Sequence, residues 1–401
     1  MMENVIITGL NVYGEQQTYS NGFIKIEKGL IKEIGSLNDI NDITGYKFIQ
    51  IPSSYFAVPG AIDIHIHGVN GADTMDASND ALSTMAEALP KEGTTSFLAT
   101  TMTQSKHAIE NALINAGEYI EENHQAGLAE IVGIHLEGPF LNYKRAGAQP
   151  FEYMLKPTIE LFNQWQGLAQ GHIKLVTIAP EIDGGLELIE YMSEQGVISS
   201  IGHSDATYDE MIKGIQAGAA HVTHLFNGMR GLHHRDPGTA GAALIHEELK
   251  TEIIADGIHV HPKTVKLAYH QKGHEGMIII TDAMRAKCLP NGEYELGGQK
   301  VFVEDGKAVL ENGSLAGSVL QMNQAINNMM EFTGCSLRDV IWMSSVTPAK
   351  QLGIFDRKGS IEAGKDADIV ILDENHNVWM TLCKGEIAYQ REEITHEHLA
   401  N

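Results

Sequence analysis

Ala57-Val58-Pro59-Gly60-Ala61-Ile62-Asp63-Ile64-His65-Ile66-His67-Gly68 is an apolar run that ends in two histidines one residue apart. In a β-strand, residues i and i+2 leave the backbone on the same face, so His65 and His67 can aim two imidazoles at one point. A strand chelates a metal ion in this way. Taken alone, the pair fits equally well a strand with two histidines on a solvated face. Four further motifs tip that balance, each closing a short β-like run: Ile134-His135-Leu136-Glu137-Gly138-Pro139, Ile201-Gly202-His203-Ser204-Asp205, Val222-Thr223-His224-Leu225-Phe226-Asn227 and Ile280-Thr281-Asp282-Ala283. Five such strand ends in order along one chain describe a single constellation.

The spacing of the runs sets the fold. Strands are predicted near 58–66, 94–100, 131–137, 173–179, 197–202, 220–225, 252–256 and 277–282, with helical periodicity between them, as in 78–91, 106–123, 185–195, 205–217 and 262–271. Alternation of this kind indicates βαβ units. Eight units predict an α/β chain folded as a (β/α)8 TIM barrel, whose site lies at the C-terminal ends of the strands. The polar motifs close predicted strands one, three, five, six and eight, so this fold gathers them into one mouth. Residues 285–310 read as an inserted hairpin and 318–345 as two closing helices. Both flanks alternate short β pieces with turns, and neither has the apolar mass to fold alone. Residues 1–55 and 355–401 are therefore expected to form one small β-sandwich domain beside the barrel of residues 56–354.

With 401 residues, 43% of them apolar, the chain can bury a large core. Its 52 acidic against 28 basic residues give a formal charge of −24, which repels phosphate backbones and anionic bilayers. No nucleic acid and no membrane is expected as a partner. Cys288, Cys335 and Cys383 are odd in number and widely spaced, which suggests neither a disulfide framework nor a structural zinc site. No window approaches the roughly 18 apolar residues of a membrane span, and no basic stretch leads into an apolar one. A cytoplasmic location is the expectation.

Glu137, His203 and His224 supply a carboxylate and two imidazoles, a set that suits a catalytic divalent metal with a position left open for water. His65 and His67 can hold a second ion, with Glu137 as the bridge. Zinc and iron both accept these ligands. Asp282, at the end of an apolar strand, is the expected general base and then the acid for a leaving amine. His135, His221, His233, His234, His246 and His270 are read as structural or supporting, with His135 on the strand face of Glu137.

In order and spacing, these motifs resemble the amidohydrolase superfamily, in the branch that deacetylates N-acetylated amino-sugar phosphates. The resemblance spans nearly the whole chain. It implies hydrolysis of the N-acetyl group of N-acetyl-D-glucosamine 6-phosphate, releasing acetate and glucosamine 6-phosphate. Many amidohydrolases carry a bridging lysine at strand four, whereas strand four here ends Ala179-Pro180-Glu181 and Glu137 takes the place. Some members have Gln for the first strand histidine and a His near position 149. This chain has His65 and Gln149, a combination that favours two metals per subunit.

The resemblance further assigns substrate contacts to Ala148, Gln149, Asn227, Gly228, Arg235, His259 and the turn Leu315-Ala316-Gly317. Arg235 can offer a phosphate forked donors, and the turn is expected to present backbone N–H groups ahead of a helix starting near Ser318. The resemblance places Arg235 at a neighbouring subunit's substrate phosphate, which makes the expected active form a homodimer. Deacetylation of the galactosamine epimer is the alternative within the enzyme class. Outside it stands a catalytically inactive metal-binding regulatory protein, which predicts loss of a ligand or of Asp282, and none is lost.

Overall fold

The computed structural model describes residues 3–392. Its centre is a ring of eight parallel strands in sequence order: β1 (Ala61–Ile66), β2 (Thr94–Thr100), β3 (Glu130–Glu137), β4 (Ile173–Ile178), β5 (Ile198–Ile201), β6 (His221–Val222), β7 (Lys250–Ile254) and β8 (Met277–Ile280). Regular pairing runs from β1 to β8, and the ring closes just past β8. There the Asp282 N–H donates to His65 O at 2.9 Å, and the His67 N–H donates to Ala283 O at 2.9 Å. The interior strand faces and the inward faces of the surrounding helices form one buried apolar cluster.

Local chemistry starts the helices where the periodicity predicts them. Ser78 and Ser105 each accept the N–H three residues on, and Thr207 with Glu210 forms a reciprocal capping box ahead of helix Tyr208–Gln216. Helices Ile159–Leu168 and Gly238–Ile245 also pack on the barrel, although their patterns did not stand out in the sequence. Two strands are displaced from expectation. β6 ends at Val222 because the chain turns into the left-handed region at His224 and Phe226, with φ of 30° and 79°. β7 lies two residues earlier than the predicted 252–256.

The predicted first strand is two strands. Phe56–Pro59 pairs with Ile369–Leu372 in a sheet outside the barrel, and β1 begins at Ala61. Gly60 separates them because Thr95 presses against it, so a Cβ there would sit 2.0 Å from Thr95 Oγ1. That outer sheet has six strands, running Glu386–Gln390, Val378–Cys383, Ile369–Leu372, Phe56–Pro59, Asn11–Tyr13 and Thr18–Tyr19. A four-stranded sheet of Leu30–Ser36, Gly22–Glu27, Val5–Thr8 and Lys47–Gln50 shares a second apolar cluster with it, including Ile7, Ile24, Ile369 and Leu382. Both ends of the chain are thus needed for one core. Of the predicted C-terminal flank, residues 393–401 lie outside the described residues.

The insert after β8 is a three-stranded antiparallel sheet, Gly292–Leu296, Gln299–Glu304 and Lys307–Leu310, rather than a hairpin. Its apolar face packs Leu296 and Val301 with Met102 and Met284 over the barrel mouth. The closing helices are Met322–Thr333 and a segment from Leu337 to Gln351.

At the opposite end of the barrel, a buried ion cluster ties β3 to the outer sheet. Lys358 Nζ lies 2.8 Å from Glu130 Oε2 and 3.1 Å from Asp366 Oδ2, and also bonds the Asp368 carboxylate. Its side chain is 1% exposed, so removing it leaves acidic groups without their central cation. Lys358→Ala should cost about 3–5 kcal/mol of stability in urea unfolding. A loss under about 1 kcal/mol would show that Arg357 and Lys384 compensate these carboxylates without it.

Candidate active site

Each polar strand end arrives at the mouth in a different way. His65 and His67 leave β1 on one face, as the period of two requires. Glu137 ends β3. His203, His224 and Asp282 each sit two residues past a strand, with φ of 47°, 30° and 48°. Left-handed backbone is costly for residues with a Cβ, and it turns these side chains inward over the barrel axis.

The side chains converge on Glu137, which is 2% exposed. Its Oε1 lies 3.3 Å from His203 Nε2, 3.2 Å from His224 Nε2 and 3.5 Å from His65 Nε2. Its Oε2 lies 3.2 Å from His67 Nε2 and accepts 2.7 Å from the Gln149 amide. Gln149 is held in turn by the Thr103 N–H at 2.9 Å. Asp282 Oδ1 stands 3.3 Å from His67 Nε2 and 3.5 Å from His65 Nε2.

The tautomers show what this arrangement fits. His203 Nδ1 meets the Arg145 carbonyl at 2.8 Å, and His224 Nδ1 meets the Asn227 carbonyl at 3.1 Å. A carbonyl only accepts, so both Nδ1 atoms carry hydrogen, and in the neutral rings both Nε2 atoms carry lone pairs. Those two nitrogens face each other at 3.1 Å beside a carboxylate. Lone pairs and a negative charge at that distance fit a cation. His65 repeats the pattern: its Nδ1 is bonded to the Glu252 carboxylate at 2.9 Å, while its buried Nε2 has no hydrogen-bond partner among the described residues. Glu137, His203 and His224 form one group whose donor atoms lie within 4.8 Å of one another, and His65, His67 and Asp282 form another.

Electrostatics agree. Burial pushes the Glu137 carboxyl up, yet His65, His203 and His224 hold it well below the usual carboxylate range. Burial likewise opposes ionisation of Asp282, and His65 and His67 outweigh it, keeping the carboxylate charged. His67 is pushed up to about 10, because its bonds to Asp282 and Glu137 overcome burial. The pocket is one that calls for positive charge.

A cleft of about 320 Å³ opens above these groups. His67, Glu137, Ala148, Gln149, His203, His224, Asn227, Gly228, His259, Asp282, Leu315 and Gly317 line it. His65 lies beneath, fully buried. His259 is oriented by Asp256, whose Oδ2 is 2.6 Å from its Nδ1. Burial opposes charge on this imidazole, and Asp256 nevertheless raises its pKa above the ordinary histidine value.

Two expectations are corrected. The helix after the 315–317 turn begins at Met322, not near Ser318. The Ala316 N–H is spent on Ala308 O at 3.0 Å and the Ser318 N–H on Asp282 O at 2.7 Å, so neither is open to a ligand. Gly317 matters there by its size and φ of +60°: a Cβ would stand 3.1 Å from Asp282 O. Ala316 is buried behind the cleft, and Arg235 is exposed on the loop after β6, outside the cleft of its own chain. Met102, Gly147, Leu296 and Ser314 line the cleft without having been singled out. Ser314 and Gly147 carried a signal, their adjacency to the 315–317 turn and to Ala148.

A parallel eight-stranded barrel with a His–Glu–His cluster and an ionised Asp at its C-terminal mouth defines a metal-dependent hydrolase. The amidohydrolase family model matches residues 56–388, and the chain belongs to that family. N-acetylglucosamine-6-phosphate deacetylase of Bacillus subtilis (strain 168) is 49% identical over 391 residues, covering 97% of this chain and 98% of that protein. N-acetylgalactosamine-6-phosphate deacetylase of Escherichia coli O157:H7 is 37% identical over 330 residues, covering 82% and 87%. A solved structure of a Mycobacterium smegmatis N-acetyl-D-glucosamine-6-phosphate deacetylase variant in complex with N-acetyl-D-glucosamine-6-phosphate has a TM-score of 0.89 and 28% identity. It covers 96% of this chain and 99% of that chain. Among the described residues, no helix is long and apolar enough to cross a membrane.

Dialysis against a strong chelator should lower the thermal midpoint and abolish hydrolytic activity, and a divalent ion should restore both. Ligand present at a thousand times its dissociation constant stabilises by about 4 kcal/mol. A midpoint indifferent to chelator and metal would mean that the cluster holds no ion.

Proposed function

We propose that this chain hydrolyses N-acetyl-D-glucosamine 6-phosphate to D-glucosamine 6-phosphate and acetate, in amino-sugar catabolism and recycling. The observation that carries this reading is the convergence of four imidazoles on Glu137, with Asp282 against two of them, in a cleft of sugar size, in a chain 49% identical to a deacetylase of that name. Two divalent ions per subunit, zinc or iron, would suit two of the three donor groups, Glu137–His203–His224 and His65–His67–Asp282, with Glu137 within reach of both. Such ions supply Lewis acidity and make hydroxide available near neutral pH.

The protein's own groups do the rest. Asp282, ionised at neutral pH, takes a proton from the water that adds to the acetyl carbonyl carbon. As the carbon–nitrogen bond breaks, the same oxygen returns that proton to the leaving nitrogen. Main-chain bonds on both sides, Asp282 N–H to His65 O and Ser318 N–H to Asp282 O, hold this carboxylate in place. His259, with Nδ1 anchored on Asp256, keeps Nε2 for an oxygen of the substrate. Gln149, Asn227, Gly228, Ala148 and the Leu315–Gly317 turn shape the sugar subsite.

The phosphate needs a cation, and no Lys or Arg lines the cleft among the described residues. Arg235 is exposed and in no ion pair among the described residues; its guanidinium touches only His234 Nε2, at 2.7 Å. Leu232, 59% exposed on the same loop, offers apolar area for a contact between chains. These features support a homodimer in which Arg235 completes the neighbouring subunit's site. We read the two terminal sheets as one small β-sandwich domain, residues 1–55 with 355–401, beside the barrel of residues 56–354. The three unpaired cysteines support a cytoplasmic location.

Acetate release should be faster from N-acetylglucosamine 6-phosphate than from the galacto epimer, and Asp282→Asn should lower kcat about 10²–10⁴-fold while metal content holds. Faster turnover of the epimer would reverse the assignment of substrate, and near-native kcat in Asp282→Asn would remove its role in proton transfer. Arg235→Ala should raise KM for the phosphorylated sugar and leave the unphosphorylated one nearly unaffected. Coexpressed Arg235→Ala and Asp282→Asn chains should regain activity in mixed dimers, each with one complete site. Mixed dimers no more active than the two parents would place Arg235 outside the neighbouring site.

A further inference from the structure

Glu252, on β7, is fully buried and does not line the cleft, so it touches no substrate. Its carboxylate nevertheless meets three donors from the machinery above. Oε2 lies 2.9 Å from His65 Nδ1 and accepts the main-chain N–H of His224 at 3.0 Å. Oε1 lies 3.2 Å from His221 Nε2. The sequence offered no reason to single out this glutamate from other strand polar residues.

We infer that Glu252 is the positioning residue that joins the two donor groups, setting the His65 ring for one and the His224 main chain for the other. The argument for His65 is tautomeric. An imidazole directs a lone pair from Nε2 only when Nδ1 holds the hydrogen, and a carboxylate at Nδ1 both fixes that form and makes Nε2 more basic. Among the described residues, His65 has no second acceptor at Nδ1. The edge-to-face ring of His135 packs against it at 4.5 Å between centroids, and His135 Nε2 is committed to Thr177 Oγ1 at 2.7 Å. The argument for His224 is conformational. Its left-handed backbone is held by a charge-assisted bond from its own N–H, and that turn lets Nε2 reach Glu137.

This inference rests on the two-ion reading, and the test separates the two. Glu252→Gln keeps an oxygen for His65 and for the His224 N–H and can turn its NH2 toward His221 Nε2, so it removes charge while keeping shape. Glu252→Leu removes both. Metal-depleted wild type, both variants and a His65→Ala, His67→Ala double variant are titrated with zinc by calorimetry, and bound zinc is counted by elemental analysis. The double variant identifies the isotherm of the Glu137–His203–His224 group alone.

Wild type should take two ions. Glu252→Gln should bind the ion of the His65 group about 10–100-fold more weakly, with a smaller change at the other, and Glu252→Leu should retain one. Should Glu252→Leu fail to fold, Glu252→Gln decides by itself. Equal weakening at both groups together with a lower metal-free thermal midpoint would reduce Glu252 to a general structural part and overturn the inference. So would wild type with two ions and Glu252→Gln with both affinities unchanged. Wild type saturating at one ion would overturn the two-ion reading and this inference with it.

Discussion

A carboxylate almost shut off from water is the constraint on which the barrel mouth depends. A buried charge without compensation is strongly destabilising, so whatever surrounds Glu137 must supply donors or cations. Four imidazole nitrogens and one amide stand within 3.5 Å of its two oxygens, drawn from strands β1, β5 and β6 and from the loop after β3. The same demand is what makes the site useful. Imidazole nitrogens that present lone pairs cannot satisfy a carboxylate by themselves, so they and Glu137 together suit a divalent ion, which answers the negative charge and adds reactivity.

Around that centre lies a second layer whose work is orientation. The Nδ1 atoms of His203 and His224 are tied to main-chain carbonyls, His65 to Glu252, and His259 to Asp256. Each of these bonds settles which nitrogen of a ring faces the cleft. The left-handed turns at His203, His224 and Asp282 belong to the same design, since a strand continuing regularly would aim alternate side chains away from the axis. Main-chain bonds between β1 and the segment after β8 close the ring and fix Asp282 against His65 in one step. Closure of the fold and assembly of the site are therefore the same event.

Recognition of the substrate is divided differently. The cleft is lined by neutral and histidine side chains with the carboxylates of Glu137 and Asp282, while Arg235 sits on an exposed loop. With a formal charge of −24, the chain repels anions at long range, so a bound anion needs local cations or donors.

The ligand residues were legible in the sequence because each sits at a strand end, where apolar runs of period two stop at a polar residue. His65, His67, Glu137, His203, His224 and Asp282 carry that signature, and the order of their runs, alternating with capped helices, specifies a parallel barrel. The lesser cleft residues were not legible that way. Met102 and Leu296 look like ordinary core residues until the inserted sheet folds over the mouth, and the N–H groups of Ala316 and Ser318 are consumed by partners that only the fold supplies. Glu252 is the clearest case: it reads as a strand glutamate, yet it meets His65 across 187 residues of chain. Local pattern determined which residues the chain has for chemistry, because strand periodicity is a property of neighbours. Ring closure decided which of them touch, which tautomers they hold and which face water, because those depend on contacts between strands far apart in sequence.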